Sequence, residues 1–100
     1  MSCKQTYNLI GLCVRAGLCR IGMEACREEI KNNRAAAVLI GSSLARNTRS
    51  KIEALCRAKS IRISQINDEN GELGACVGRP GIKIICIQDR CFACRIIESM

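Results

Sequence analysis

The sequence predicts an α/β protein built as a single three-layer α/β/α sandwich. Segments with apolar residues at helical spacing alternate along the whole chain with short apolar runs of strand length. Two of those runs, Ala35 to Ile40 and Ile82 to Ile87, are apolar at nearly every position, as strands covered on both faces must be. One hundred residues make one domain, 1–100, with no room for a second.

In chain order, Thr6 is placed to cap a first helix whose Leu9, Leu12, Cys13 and Ala16 follow the i, i+3, i+4, i+7 pattern, with Gly17 as its stop. Leu18 to Ile21 is a short extended piece. Gly22 then opens a second helix with Met23, Cys26 and Ile30 on its inner face and Glu24, Arg27, Glu28 and Lys31 elsewhere, ending at Asn32 and Asn33. Ala35 to Ile40 is the central strand, closed by Gly41, Ser42 and Ser43. A third helix begins near Asn47. It turns Ile52, Leu55 and Cys56 inward and shows Arg49, Lys51, Glu53, Arg57 and Lys59 to solvent. Ile61 to Ile63 is a short strand, Asn67 to Gly71 a polar loop, and Leu73 to Val77 a short helix broken by Gly78, Pro80 and Gly81. After the Ile82 to Ile87 strand, Phe92, Ile96 and Ile97 anchor a last helix.

The aromatic residues are only Tyr7 and Phe92, so the core is built from Ile, Leu, Val, Ala and Cys. Nine cysteines in 100 residues suggest a disulfide scaffold at first sight, but the number is odd and most of them sit at apolar positions. They read as reduced core residues of a cytoplasmic protein. Cys91 and Cys94 have metal or redox spacing, yet a second pair and any histidine are missing, so neither a metal nor a cofactor is expected. Residues 1–4 do not begin a signal peptide, and no apolar run approaches the roughly 20 residues that span a bilayer.

Catalytic chemistry finds little support. There is no histidine for acid–base work, no GxxxxGK loop for a nucleoside triphosphate, and no histidine partner for a cysteine nucleophile. The charge points elsewhere. The net charge is +7, and residues 1–62 hold 12 basic and 4 acidic side chains against 4 and 5 in residues 63–100. A positive field concentrated in one part of the chain suits a polyanion, and the lack of a basic amphipathic apolar helix favours nucleic acid over membrane. A merely solvated basic surface remains the alternative.

Two places suit RNA. At Arg20 to Gly22 a helix opens whose free N–H groups and positive end can meet phosphates, with Gly22 allowing close approach to the backbone. In the loop from Ala75 through Cys76 and Val77 to Pro80, small apolar residues beside Arg79 can receive an unstacked base. Each glycine involved can equally be no more than a helix end.

The order LIGLCVRAG, Gly22 opening a helix, AAAVLIGSSLARNTRSKIEALC and LGACVGRPGIKIICIQDRCFA resembles the ribosomal protein superfamily of kink-turn RNA binders, in particular its small bacterial YlxQ-like branch. The likeness runs from about Tyr7 to Ile97, and its most specific pieces are NTRSKIEALC at 47–56 and the LGxxxG of 73–78. It implies a four-stranded mixed sheet with Leu18 to Ile21 as the extra strand. It also implies a non-catalytic, ribosome-associated accessory protein that binds kink-turn or ribosomal RNA as a monomer, with ribosomal or translation proteins as further partners. The second helix would enter the widened groove of the kinked RNA, and the loop before the last strand would contact flipped bases. Arg20, Gly22, Met23, Glu24, Ala25 and Arg27 form the first expected contact, Ala75, Cys76, Val77 and Arg79 the second, and Arg46, Asn47 and Lys51 add to the field.

The chain departs from the family's helix pattern of Gly, a small residue, Asn or Lys, Glu or Gln, two variable residues and Lys. Those positions read Gly22, Met23, Glu24, Ala25, Cys26, Arg27 and Glu28, and the lysine common before the first strand is Leu18. A carboxylate facing a phosphate is repulsive, and a lost charged hydrogen bond costs about 1.5–3 kcal/mol. Arg20 and Arg27 are positioned to compensate. Two rivals stay open: a protein-interaction module on the same fold that has lost kink-turn recognition, and a cysteine-based metal or redox protein.

Overall fold

The computed structural model describes residues 3–100. Helices α1 (Cys3–Arg15), α2 (Met23–Lys31), α3 (Arg46–Ala58), α4 (Glu72–Val77) and α5 (Arg90–Ser99) alternate with strands β1 (Cys19–Ile21), β2 (Ala37–Gly41), β3 (Arg62–Ile66) and β4 (Ile84–Ile87). The strands form one mixed sheet in the order β1-β4-β2-β3, in which β4 runs antiparallel to β1 and β2, while β2 and β3 are parallel. The two central strands are buried at every position, which is why their sequences read as unbroken apolar runs. Alternation sorts their side chains. Ala37, Leu39, Ile85 and Ile87 pack under α1, α4 and α5, whereas Val38, Ile40, Ile84 and Cys86 pack under α2 and α3. The three-layer sandwich expected from the sequence is the fold observed.

Each of the first four helices ends with a residue at positive φ, successively Gly17, Asn33, Ser60 and Gly78. Paired bonds accompany it in every case, as in Leu18 N–H to Cys13 O (3.1 Å) with Gly17 N–H to Val14 O (3.0 Å). These reversals satisfy carbonyls that a helix end would otherwise leave bare. The last helix is capped at its start by Asp89, whose carboxylate accepts from Phe92 N–H at 2.8 Å.

Several expectations need correction. The first helix starts before Thr6, which is buried and bonds Ser99 Oγ at 2.7 Å. Ser99 spends its own proton on Ile96 O at 2.6 Å, so Thr6 is the donor, and the contact ties α1 to α5. Leu12 is 47 % exposed while Ile10 is fully buried, and Ala16 is exposed. The inward stripe is therefore Thr6, Leu9, Ile10 and Cys13. Arg49 is half-buried and donates to Ser42 O at 3.3 Å instead of facing solvent. The third strand runs on to Ile66, and Ile82 and Lys83 precede β4, so both belong to a loop. Cys13, Cys26, Cys56 and Cys86 are buried as core residues, but Cys91 and Cys94 are exposed on α5.

Candidate nucleic-acid interface

The end of the sheet where β2 and β3 finish is also where β4 starts and α2 begins. There the backbone stitches three segments together. Gly22 N–H donates to Ile84 O (3.1 Å), Gly41 N–H to Lys83 O (2.8 Å), and Lys83 Nζ to Ser43 O (3.4 Å). The two places picked out from the sequence thus lie side by side, with the loop that leads into α3 next to them.

Gly22 has φ 96° and ψ 160°, a conformation that disfavours any side chain, and no side chain caps the helix it opens. The first N–H groups of α2 are left without an intrahelical acceptor, so the positive end of the helix is presented bare. A Cβ at Gly22 would lie 3.8 Å from Ile82 Cδ1, which sets the distance between the helix start and the neighbouring loop. Met23 and Ala25 are half-buried, and Glu24, Arg27 and Glu28 are exposed.

The neighbouring loop folds back on α4 because Gly74 has no side chain. A Cβ there would come within 2.9 Å of Arg79 O and 3.0 Å of Gly81 N. Ala75 and Arg79 are exposed, whereas Cys76 turns inward and donates from Sγ to Tyr7 O at 3.0 Å, and Val77 is buried. Cys76 and Val77 therefore hold α4 against α1, and the surface of this loop comes from Ala75, Arg79, Ile82 and Lys83. The apolar run in the sequence puts Ile82 and Lys83 inside the strand, whereas β4 starts at Ile84 and leaves both in the loop. A lone isoleucine after GRPG was the available signal.

The third segment is fixed by Asp68, a carboxylate only 1 % exposed. Its Oδ1 accepts from Ser43 N–H (3.0 Å), Ser43 Oγ (2.9 Å) and Ser42 Oγ (3.4 Å), and Ser42 Oγ accepts from Asp68 N–H (3.1 Å). This closes the turn after β2 and delivers Arg46, Asn47 and Lys51, all exposed, at the start of α3.

Arg20 does not join this surface. Its Nη1 lies 3.4 Å from Oε2 of Glu29, a glutamate 1 % exposed that also receives Arg34 Nε (3.2 Å), Arg34 Nη2 (3.3 Å) and Gln88 Nε2 (2.8 Å). The Arg34 hydrogen bonds first, then Gln88, hold this carboxyl below the usual carboxylate range against the opposing effect of burial. Both carboxylate oxygens of Glu29 are thus occupied by structure, whereas Asp68 uses Oδ1 and its buried Oδ2 has no hydrogen-bond partner among the described residues. Two of the buried thiols are poor nucleophiles as well, since burial pushes Cys56 up to about 11 and Cys86 to about 12.

Residues 4–97 match the sequence pattern of the ribosomal protein L7Ae/L30e/S12e/Gadd45 family. The RNA-binding protein YlxQ of Bacillus subtilis (strain 168) is 27 % identical over 100 residues, covering 100 % of this chain and 99 % of that protein. Among solved structures, a protein with unknown function from Bacillus halodurans C superposes with a TM-score of 0.87 at 22 % identity, over 93 % of each chain. A 15.5kD RNA binding protein of Giardia lamblia superposes with a TM-score of 0.76 at 16 % identity, over 93 % of this chain and 82 % of that one.

Proposed function

This chain belongs to the ribosomal protein L7Ae/L30e/S12e/Gadd45 family, and from that premise we propose that it is a non-catalytic, YlxQ-like RNA-binding protein. The observation that carries this reading is the convergence of the bare α2 start, the loop 78–83 and the start of α3 at one end of the sheet. A helix end and a backbone loop can position a sharply bent phosphate chain, while the apolar Ile82 beside Gly22 offers a surface for an unstacked base. Arg27, Arg46, Lys51, Arg79 and Lys83 supply the field. Arg20 is left out of it, because its guanidinium serves Glu29.

Kink-turn or ribosomal RNA in the cytoplasm is the partner class this reading favours, with the protein acting as a monomeric accessory of the ribosome. Binding to a kink-turn hairpin is expected to weaken steeply with salt. Replacing Arg27 and Arg79 together by Gln should lower the salt slope by about 1–2, at roughly 0.7–0.9 per phosphate contact. An unchanged slope in filter-binding titrations would remove this end of the sheet from the RNA face.

The exposed Glu24 and Glu28 favour the second reading, a protein-interaction module that has lost kink-turn recognition. One variant separates the two. Glu24→Asn with Ala25→Glu and Glu28→Lys restores groups that meet base edges and a phosphate, and should tighten kink-turn binding at least about tenfold, or 1.4 kcal/mol. An equal gain for an unkinked duplex would mean that only charge had been added. No gain for either RNA would make the protein-interaction reading the better one.

A further inference from the structure

The other end of the sheet, where β2 and β3 begin and β4 finishes, holds an open cavity of about 430 Å³. Ala36, Ala93 and Ile97 give it an apolar floor, and Ser60, Arg62 and Arg90 stand in its wall. A second hollow of about 230 Å³ shares Ala36, Ser60 and Arg90 with it and adds Lys59, so the two are neighbours. Glu98 is the acid among their lining residues.

The state of the cations is informative. Among the described residues, Arg62, Arg90 and Lys59 make no side-chain ion pair or hydrogen bond, and the ion pairs that do form go to Glu29. Arg62 and Arg90 of the larger cavity and Lys59 of the hollow beside it outnumber Glu98, among the described residues the one acid lining either, so an anion entering there meets net attraction. The volume falls in the range of about 300–1,000 Å³ typical of small-ligand sites. Guanidinium groups match phosphate oxygens with paired donors and also stack on flat rings, while the methyl-lined floor gives a ring something to lie on.

We propose that this cavity binds a nucleoside 5′-phosphate, either a free nucleotide or the terminal nucleotide of an RNA chain. Arg62 and Arg90 hold the phosphate, and Ala36, Ala93 and Ile97 lie against the base. The site is at the opposite end of the sheet from the α2 start and does not depend on the RNA face proposed there.

Cys94 lines the cavity, whereas Cys91, exposed on the same helix, does not. The rate of iodoacetamide alkylation at the two thiols of the full chain, followed by peptide mass spectrometry, therefore reports occupancy. At low salt, AMP at about 1 mM should slow Cys94 at least about fivefold and leave Cys91 unchanged. Arg62→Gln with Arg90→Gln should abolish the protection, with circular dichroism confirming the fold, and Arg79→Gln should retain it. Inorganic phosphate should be at least about tenfold less potent than AMP, because it lacks the part that uses the floor. A 5′-phosphorylated oligoribonucleotide that outdoes AMP would assign the site to RNA ends, and the reverse order to free nucleotides. Equal potency of phosphate and AMP overturns the nucleoside assignment. Failure of both AMP and the 5′-phosphorylated oligonucleotide to protect Cys94, or equal slowing of both thiols, overturns the site.

Discussion

Gly41→Ala should cost this protein at least about 3 kcal/mol of stability, although it adds one methyl group to a strand and requires no unusual backbone angle. Gly41 ends β2, buried on both faces, and the Asp68 carboxylate lies over it so closely that an added Cβ would overlap both oxygens and the carbon between them. Neither partner can yield easily. Gly41 is held by its bond to Lys83 O, and Asp68 by Ser42 and Ser43, so moving the carboxylate forfeits charged hydrogen bonds worth about 1.5–3 kcal/mol each and leaves a buried charge to be resolvated. At about 4–8 °C per kcal/mol for a domain of this size, thermal unfolding should move down by at least roughly 12 °C. An Asp68→Ala background provides the control. There the same Gly41→Ala change should cost less than about 1 kcal/mol, giving a coupling of at least about 2 kcal/mol. Equal costs in both backgrounds would show that Asp68 is not what excludes the side chain.

Asp68 also marks where sequence reading stops. Asn67 to Gly71 is polar, which predicts the loop that is observed, but nothing local distinguishes the buried Asp68 from the exposed Glu69 beside it. Its burial is decided by Gly41, Ser42 and Ser43, some 25 residues earlier. Glu28 and Glu29 repeat the lesson. Adjacent on α2, one is exposed and the other buried, because Arg20, Arg34 and Gln88 converge on the second from three separate segments. In α1 the apolar residues Leu9, Ile10, Leu12, Cys13 and Val14 form a band wider than one stripe, so two helical phases fit the pattern. Packing against α4 and α5 selects the one that exposes Leu12.

What was legible had a local cause. The central strands show as apolar runs because both their faces are covered, α2 and α4 show through their end residues, and α3 shows through the spacing of Ile52, Leu55 and Cys56. At the candidate interface, Gly22 and the glycines around Pro80 were visible because backbone geometry selects them. Their adjacency was not, since it depends on β1 and β4 pairing across more than 60 residues. The same pairing engages Arg20 elsewhere, because alternation along a three-residue strand turns its still exposed side chain toward Glu29.

Glu29→Gln should lower stability at pH 7 by about 2 kcal/mol and remove this residue's share of the weakening that the parent shows in the acid range. The amide keeps the shape of the side chain but offers one acceptor where the carboxylate offered two, and its NH2 group faces guanidinium donors. The figure sits below the 3–5 kcal/mol typical of breaking a fully buried pair, because Arg20 and Arg34 have side chains 47 % and 56 % exposed and turn back to water. The sign of the pH effect follows from the direction of the shift. A carboxyl whose pKa is lower folded than unfolded binds fewer protons in the native state, so its contribution is complete above the ordinary value of 4.5 and disappears as pH falls through the lower native value. The difference between parent and variant, measured by urea unfolding, should therefore be constant from pH 7 to about 5 and shrink below about 4.5. A difference that stays constant to pH 2 would mean that shape and packing at this position, and not the charge of Glu29, hold β1, α2 and the end of β4 together.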